Sequence, residues 1–166
     1  MGALFMFKES WMKISEHFGV YGVCIRNNQL LCVKKHGGPY NGRYDLPGGS
    51  RKNGESLLDT LYREMSEETS YQVSQIYDSA LYDSFVKINE DEFNHHIFGL
   101  YKVELEKANH QAIEKYLNGN EANDSLGEEW VELNELNEQN ASPLILKVLA
   151  TSEDFQAKRY PDWEIY

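Results

Sequence analysis

The stretch from Gly54 to Thr69 is the long segment of this chain with uninterrupted helical periodicity, and it is bounded on both sides by segments that read as strands. Ser56 is suited to cap its start, and Asp59 three residues on completes a capping box. Leu57, Leu58, Leu61 and Met65 recur at helical spacing and predict one apolar stripe facing a sheet. Before the helix, Val20–Arg26 and Leu30–Lys35 are rich in β-branched and apolar residues, and Asn27-Asn28 between them predicts a hairpin turn. His36–Arg43, with its glycines and proline, predicts a loop, and Tyr44–Leu46 a short extended piece stopped by Pro47-Gly48-Gly49. After the helix, Val73–Ile88 and Asn94–Leu105 predict two long strands joined at the acidic turn Asn89–Glu92. Glu129–Leu133 predicts a further strand, and Ser142-Pro143 an N-cap and first-turn proline for a last helix through Ala150.

Strands, a helix, more strands and a helix predict an α/β fold of the α+β kind, with a mixed β-sheet sandwiched between α-helices. The 166 residues suit one domain, 1–166, with a core over about 18–150. Phe7–Phe18 has helix-like spacing and predicts a short capping segment. Lys107–Gly127 is polar and irregular, with a short helix expected at Gln111–Leu117, and the tail Thr151–Tyr166 has no assignable role.

Composition narrows the function. A net charge of −11 disfavours binding of long nucleic acid. No apolar run approaches the roughly 20 residues that span a bilayer, and the N-terminus does not resemble a signal peptide, so no membrane partner and a cytoplasmic location are expected. Cys24 and Cys32 alternate with apolar residues and read as buried thiols. Basic residues gather in the first third, where Lys34, Lys35 and Arg43 are candidates to hold a phosphate and Tyr40 to stack on a base. Phe98 and Trp130 are further stacking candidates with a competing core role. His95 and His96 are adjacent on a predicted strand, face opposite sides, and read as structural.

The chemistry concentrates on the helix. Glu64, Glu67 and Glu68 stand at i, i+3 and i+4 and occupy one arc. Like charges at this spacing repel, and the negative end of the helix dipole makes the arrangement worse. A divalent cation among the carboxylates would relieve both costs, and Mg²⁺ binds oxygen donors together with substrate phosphates. Arg63, four residues from both Asp59 and Glu67, can bridge to either.

From Gly49 onward the chain resembles the Nudix box: Gly, five residues, Glu, seven residues, Arg-Glu, an aliphatic, any residue, Glu-Glu, any residue, Gly, an aliphatic. Gly49, Glu55, Arg63, Glu64, Met65, Glu67 and Glu68 match, and Asp45-Leu46-Pro47-Gly48 looks like the family's lead-in. The departures are Ser70 in place of Gly and Tyr71 in place of an aliphatic. The expectation is that Ser70 fills a left-handed helix cap at a cost in strain, while Tyr71 still points into the core.

The resemblance implies hydrolysis of a diphosphate linkage in a nucleoside triphosphate or another nucleoside diphosphate derivative, by water attack and with Mg²⁺ or Mn²⁺. Carried over by position, Glu64, Glu67, Glu68 and the Gly49 carbonyl would hold metal, and Arg63 and Glu55 would orient the carboxylates. The general base would be Glu67 or Glu68, or come from a later loop at Glu121, Asp124 or Glu128, of which Glu128 is preferred. The partner is a small nucleotide-type molecule. Two other readings stand beside this one: a Nudix-fold sensor that binds such a ligand without turnover, which would be expected to lose box acids, and an acidic Ca²⁺-binding protein, for which an EF-hand loop pattern is lacking.

Overall fold

A computed structural model describes residues 12–108, 125–150 and 155–166. The expected helix at Gln111–Leu117, and Glu121 and Asp124, lie outside the described residues.

β1 (Lys13–Val23) is the first strand described. Its first half falls where the sequence predicted a short helix: Lys13–Phe18 is strand, because it pairs residue by residue with β7 (Glu92–Lys107) in parallel. That partner lies some 80 residues away in sequence, so local spacing carried no trace of it. The chain then forms the predicted hairpin, β2 (Ile25–Arg26) and β3 (Gln29–Lys35). Asn27 and Asn28 take positive φ of 49° and 64°, which a two-residue hairpin turn demands and asparagine tolerates. β4 (Tyr44–Asp45) and β5 (Gly48–Ser50) follow the loop.

β6 (Tyr71–Asn89) and β7 form the long antiparallel pair expected around the acidic turn. β8 (Ser125–Glu132) starts earlier than predicted, and Leu133 opens a 3₁₀ turn instead of ending the strand. The tail supplies β9 (Lys158–Tyr160), which lies parallel to β6 at Ser84–Val86. The result is a five-stranded mixed sheet in the order β5-β1-β7-β6-β9 and a smaller sheet in which β2, β4 and β8 all pair with β3.

α1 (Leu57–Glu68) and α2 (Pro143–Leu149) belong to separate cores. Leu61 and Met65 of α1 pack with Val20, Leu31 and Val103, while Leu144 and Ile145 of α2 pack with Tyr21, Leu30 and Phe98. Val20 and Tyr21 are neighbours on β1 that point to opposite faces, so the mixed sheet lies between two helices, as predicted. The predicted stripe of α1 is only half used: Leu61 and Met65 are fully buried, but Leu57 and Leu58 remain 42% and 40% exposed. Thr60 is buried in their place, with its hydroxyl donating to Glu55 and to the Ser56 carbonyl. Cys24 and Cys32 are buried free thiols, and Phe98 belongs to the core.

Candidate active site

α1 begins where expected. The Ser56 hydroxyl accepts from the Asp59 amide and Asp59 accepts from the Ser56 amide, completing the capping box. Asp59 is thereby held by the cap, and Arg63 bonds to other acids. Its guanidinium is buried and donates to Glu55 Oε1 at 2.6 Å and Oε2 at 3.0 Å, to Glu64 Oε1 at 2.7 Å, to Glu67 Oε2 at 3.0 Å and to the Ser50 carbonyl at 3.0 Å. One planar cation thus ties the loop Gly49–Glu55 to the acidic face of α1, with the fixed fork that arginine supplies. The Arg63 bond lowers the Glu55 carboxyl to about 2. Burial instead raises Glu64 above the ordinary carboxylate value, against the pull of Arg63.

Glu64 lies directly against the loop. A Cβ on Gly49 would be 2.7 Å from Glu64 Oε1, so only glycine lets this backbone meet the carboxylate. Glu68 is 6% exposed, accepts from the Gly48 amide at 2.9 Å and faces Lys35 Nζ at 3.6 Å. Standing three and seven residues after the buried Met65 and Leu61, it borders the apolar face of α1. Glu67 is the most open of the three, with Lys52 Nζ 4.0 Å away.

The repulsion read from the sequence is therefore largely compensated by Arg63, whose reach to Glu67 was expected, and by Lys35 and Lys52, which had not been set against these acids. Among the described residues no three acidic, thiol or imidazole groups converge closely enough to cage an ion as they stand. What suits a metal is the donor set: all-oxygen, on one arc of a helix, against a glycine backbone.

The four predicted substrate residues separate. Lys35 joins the site through Glu68. Lys34, next to it on the strand, points to the other face and lies over the Tyr44 ring at 4.7 Å. Arg43 is 2% exposed and donates to the backbone carbonyls of Glu138 at 2.7 Å and Glu164 at 2.9 Å while stacking on Trp163 at 3.8 Å. Its donors face main-chain oxygens, away from the acids of α1. Tyr40 is 6% exposed, with its hydroxyl 2.8 Å from His96 Nδ1, and its ring is built into the wall of a pocket. Glu128 accepts from the amide of Ser70 at 3.1 Å and from its hydroxyl, which places its carboxylate at the end of α1 as a cap.

That contact also corrects the reading of Ser70. Its φ is not positive, and the only non-glycine residues with positive φ among those described are Asn27 and Asn28. The helix ends instead at Thr69 in an extended conformation, with Thr69 Oγ1 donating to the Met65 carbonyl at 2.6 Å and accepting from the Tyr71 amide at 3.1 Å. The side-chain oxygen does the work that a left-handed glycine would do, so no strain arises. Tyr71 packs against the α1-side core, as expected, and its hydroxyl accepts from Trp130 Nε1 at 3.1 Å.

Beside Lys35 opens a pocket of about 400 Å³, walled by His17, Tyr21, Tyr40, Asn94 and His96 and rimmed by Gly37–Pro39. His95 and His96 face opposite sides, as expected: His95 stacks on Phe85, and His96 is buried between Tyr21 Oη at 3.1 Å and Tyr40 Oη at 2.8 Å. The rings of His17 and His96 lie 4.7 Å apart. Burial lowers the pKa of both, and Lys35 lowers both further, so the pair favours the neutral form. Sequence reasoning passed over His17. Nothing local marks it, because its partner is set by the β1–β7 register.

The NUDIX domain family matches residues 16–151. The chain belongs to the Nudix family. It carries the box of a Nudix hydrolase intact at every acid. It is 36% identical over 50 residues to an ADP-ribose pyrophosphatase from Methanocaldococcus jannaschii, a match spanning 30% of either chain. Its fold is similar to that of a MutT Nudix hydrolase from Burkholderia pseudomallei, with a TM-score of 0.62 at 18% identity over 81% of this chain and 96% of that one. It is also similar to a MutT protein from Bacillus halodurans, with a TM-score of 0.57 at 22% identity over 89% and 93% of the two chains. A third similar fold is the Nudix domain of Shewanella oneidensis NrtR, solved with ADP ribose, with a TM-score of 0.57 at 16% identity over 81% and 84%.

Proposed function

We propose that this Nudix chain hydrolyses the diphosphate linkage of a nucleoside diphosphate derivative, ADP-ribose being the first compound to test, with Mg²⁺ or Mn²⁺ as cofactor. The observation that carries the reading is the Arg63 fork, which holds Glu55, Glu64, Glu67 and the Ser50 carbonyl as one unit. A buried cation with that many acceptors fixes the carboxylates in one arrangement.

In this reading Glu64, Glu67, Glu68 and the Gly49 carbonyl hold the ion, which when bound neutralises the phosphates and acidifies water. Arg63 and the Gly48 amide keep the carboxylates from swinging away. Glu67, the most open of the acids, accepts the proton of the attacking water. Lys35 stands between Glu68 and the pocket, where its ammonium can meet a phosphate oxygen. The pocket beside it receives the organic part of the substrate. ADP-ribose is chosen because one relative is named for its cleavage and one similar domain was solved with it.

The test is a panel of ADP-ribose, nucleotide sugars, dinucleoside polyphosphates and nucleoside triphosphates, assayed with Mg²⁺, with Mn²⁺ and with EDTA, products being separated by chromatography. Metal-dependent release of two phosphorylated products from one panel member is the expected result. Tight binding of ADP-ribose with no turnover of any compound would instead make this a ligand-sensing domain.

A further inference from the structure

The tail seen in the sequence as an unplaced aromatic and charged stretch packs on the loop that rims the pocket. Each residue from Pro39 to Arg43 meets it. Trp163 Nε1 donates to the Pro39 carbonyl at 2.8 Å, and its ring lies edge-on to Tyr40 at 5.9 Å. The Asn41 amide side chain donates to the Tyr166 backbone oxygen. Tyr166 also packs on Gly42, where an added Cβ would lie 3.0 Å from the tyrosine Cβ at a φ of 76° that already disfavours a side chain. Arg43 stacks on Trp163 and donates twice to Glu164. The tail is itself anchored, by β9 on β6 and by Tyr160 against Trp163 at 5.2 Å.

The loop so held forms one side of the pocket: Gly37–Pro39 at the rim, and Tyr40 at the wall with its hydroxyl on His96. Gly37, Gly38 and Gly42 are all at positive φ and bring no side chain to pack, so the packing of this loop falls to Pro39, Tyr40, Asn41 and Arg43. We infer that residues 158–166 act as a brace that sets the shape of the substrate pocket from behind, with Trp163 as the positioning residue. Trp163 does not line the pocket; it acts through Pro39 and Tyr40. The functional half of this inference rests on the reading that this pocket takes the substrate, while the mechanical half does not.

The experiment uses the full chain with Trp163→Ala and with Trp163→Phe, which keeps a ring on Arg43 and Tyr40 but loses the bond to Pro39. The amides of Asn41, Gly42 and Arg43 are each hydrogen-bonded to backbone carbonyls, so hydrogen exchange reports on the loop directly. Exchange there should accelerate by about ten-fold or more in the alanine variant and less in the phenylalanine one, with α1 amides unchanged. With ADP-ribose as substrate, KM should rise by about ten-fold while kcat stays within about two-fold, because Trp163 touches no box residue. Unchanged loop exchange, or a uniform rise that includes α1, overturns the brace. An unchanged KM where the wild type cleaves ADP-ribose overturns its effect on the pocket. If the wild type neither binds nor cleaves ADP-ribose, that failure belongs to the substrate reading, and the exchange data alone decide the brace.

Discussion

Arg63 makes five hydrogen bonds with four residues, and the behaviour of each acid around it follows from its share of that cation. Glu55 takes two of them, and its carboxyl is lowered from 4.5 to about 2. An acid with a depressed folded pKa stabilises the fold above its unfolded value, and that stability is lost as pH falls towards the folded value. Glu64, whose pKa is raised by burial, works in the opposite sense and is relieved on acidification. Glu55→Gln should therefore be less stable than wild type at neutral pH, and should lose less stability than wild type between pH 4.5 and 2. Urea midpoints measured across that range check this; parallel curves would show that Glu55 is not held by Arg63 in solution.

Glu67 tests the catalytic reading. Glu67→Gln removes repulsion from Glu64 and also removes attraction to Arg63 and Lys52. These are each worth about 0.2–1 kcal/mol, so metal-free stability should change by less than about 1 kcal/mol. Turnover should fall by at least ~100-fold, as expected when a metal ligand or proton acceptor is lost. A variant that retained full turnover would make Glu67 a solvated surface acid.

At the scale of elements, both ends of α1 were legible in position, at Ser56 and Thr69, but the way its C-terminal end is capped was not. The start is written in neighbouring residues, Ser56 and Asp59, which satisfy each other's backbone locally. The end depends on Glu128, which arrives from β8 to accept from Ser70. The family's glycine pattern pointed to a left-handed cap, but Thr69 and Glu128 replace it with side-chain oxygens. Ser70→Gly distinguishes the two caps. The change deletes the hydroxyl bond to Glu128 and loosens an unstrained backbone, so it should lower stability by about 1 kcal/mol, measurable by chemical denaturation. A gain in stability would restore the left-handed cap. The stripe on α1 shows the same limit: periodicity gave the helix and its buried residues Leu61 and Met65, but could not tell that Leu57 and Leu58 stay exposed.

At the scale of the molecule, function should appear as a coupling between metal and fold. An ion that binds only the folded site stabilises it by mass action. Added Mg²⁺ or Mn²⁺ should raise the Tm of wild type and raise that of Glu67→Gln less. Melting curves of both proteins with EDTA and with millimolar metal would decide it, and equal shifts would place the ion elsewhere.

The family, the acids of the box, the hairpin at Asn27-Asn28, the paired long strands and the all-oxygen donors on α1 could be read from the chain alone. All of these are set by residues close together in the chain, through helical spacing, capping and turn geometry. It took the folded chain to show which cations meet those acids, that Lys35 faces the site while Lys34 does not, and that Arg43 and Tyr40 are packed in place. The folded chain also shows that His17 lies against His96 across the β1–β7 pair, and that the tail closes behind the pocket loop. The reason is that strand register and chain return are fixed by contacts between residues some 60 to 125 positions apart, whose energies depend on the assembled sheet and leave no local pattern to read.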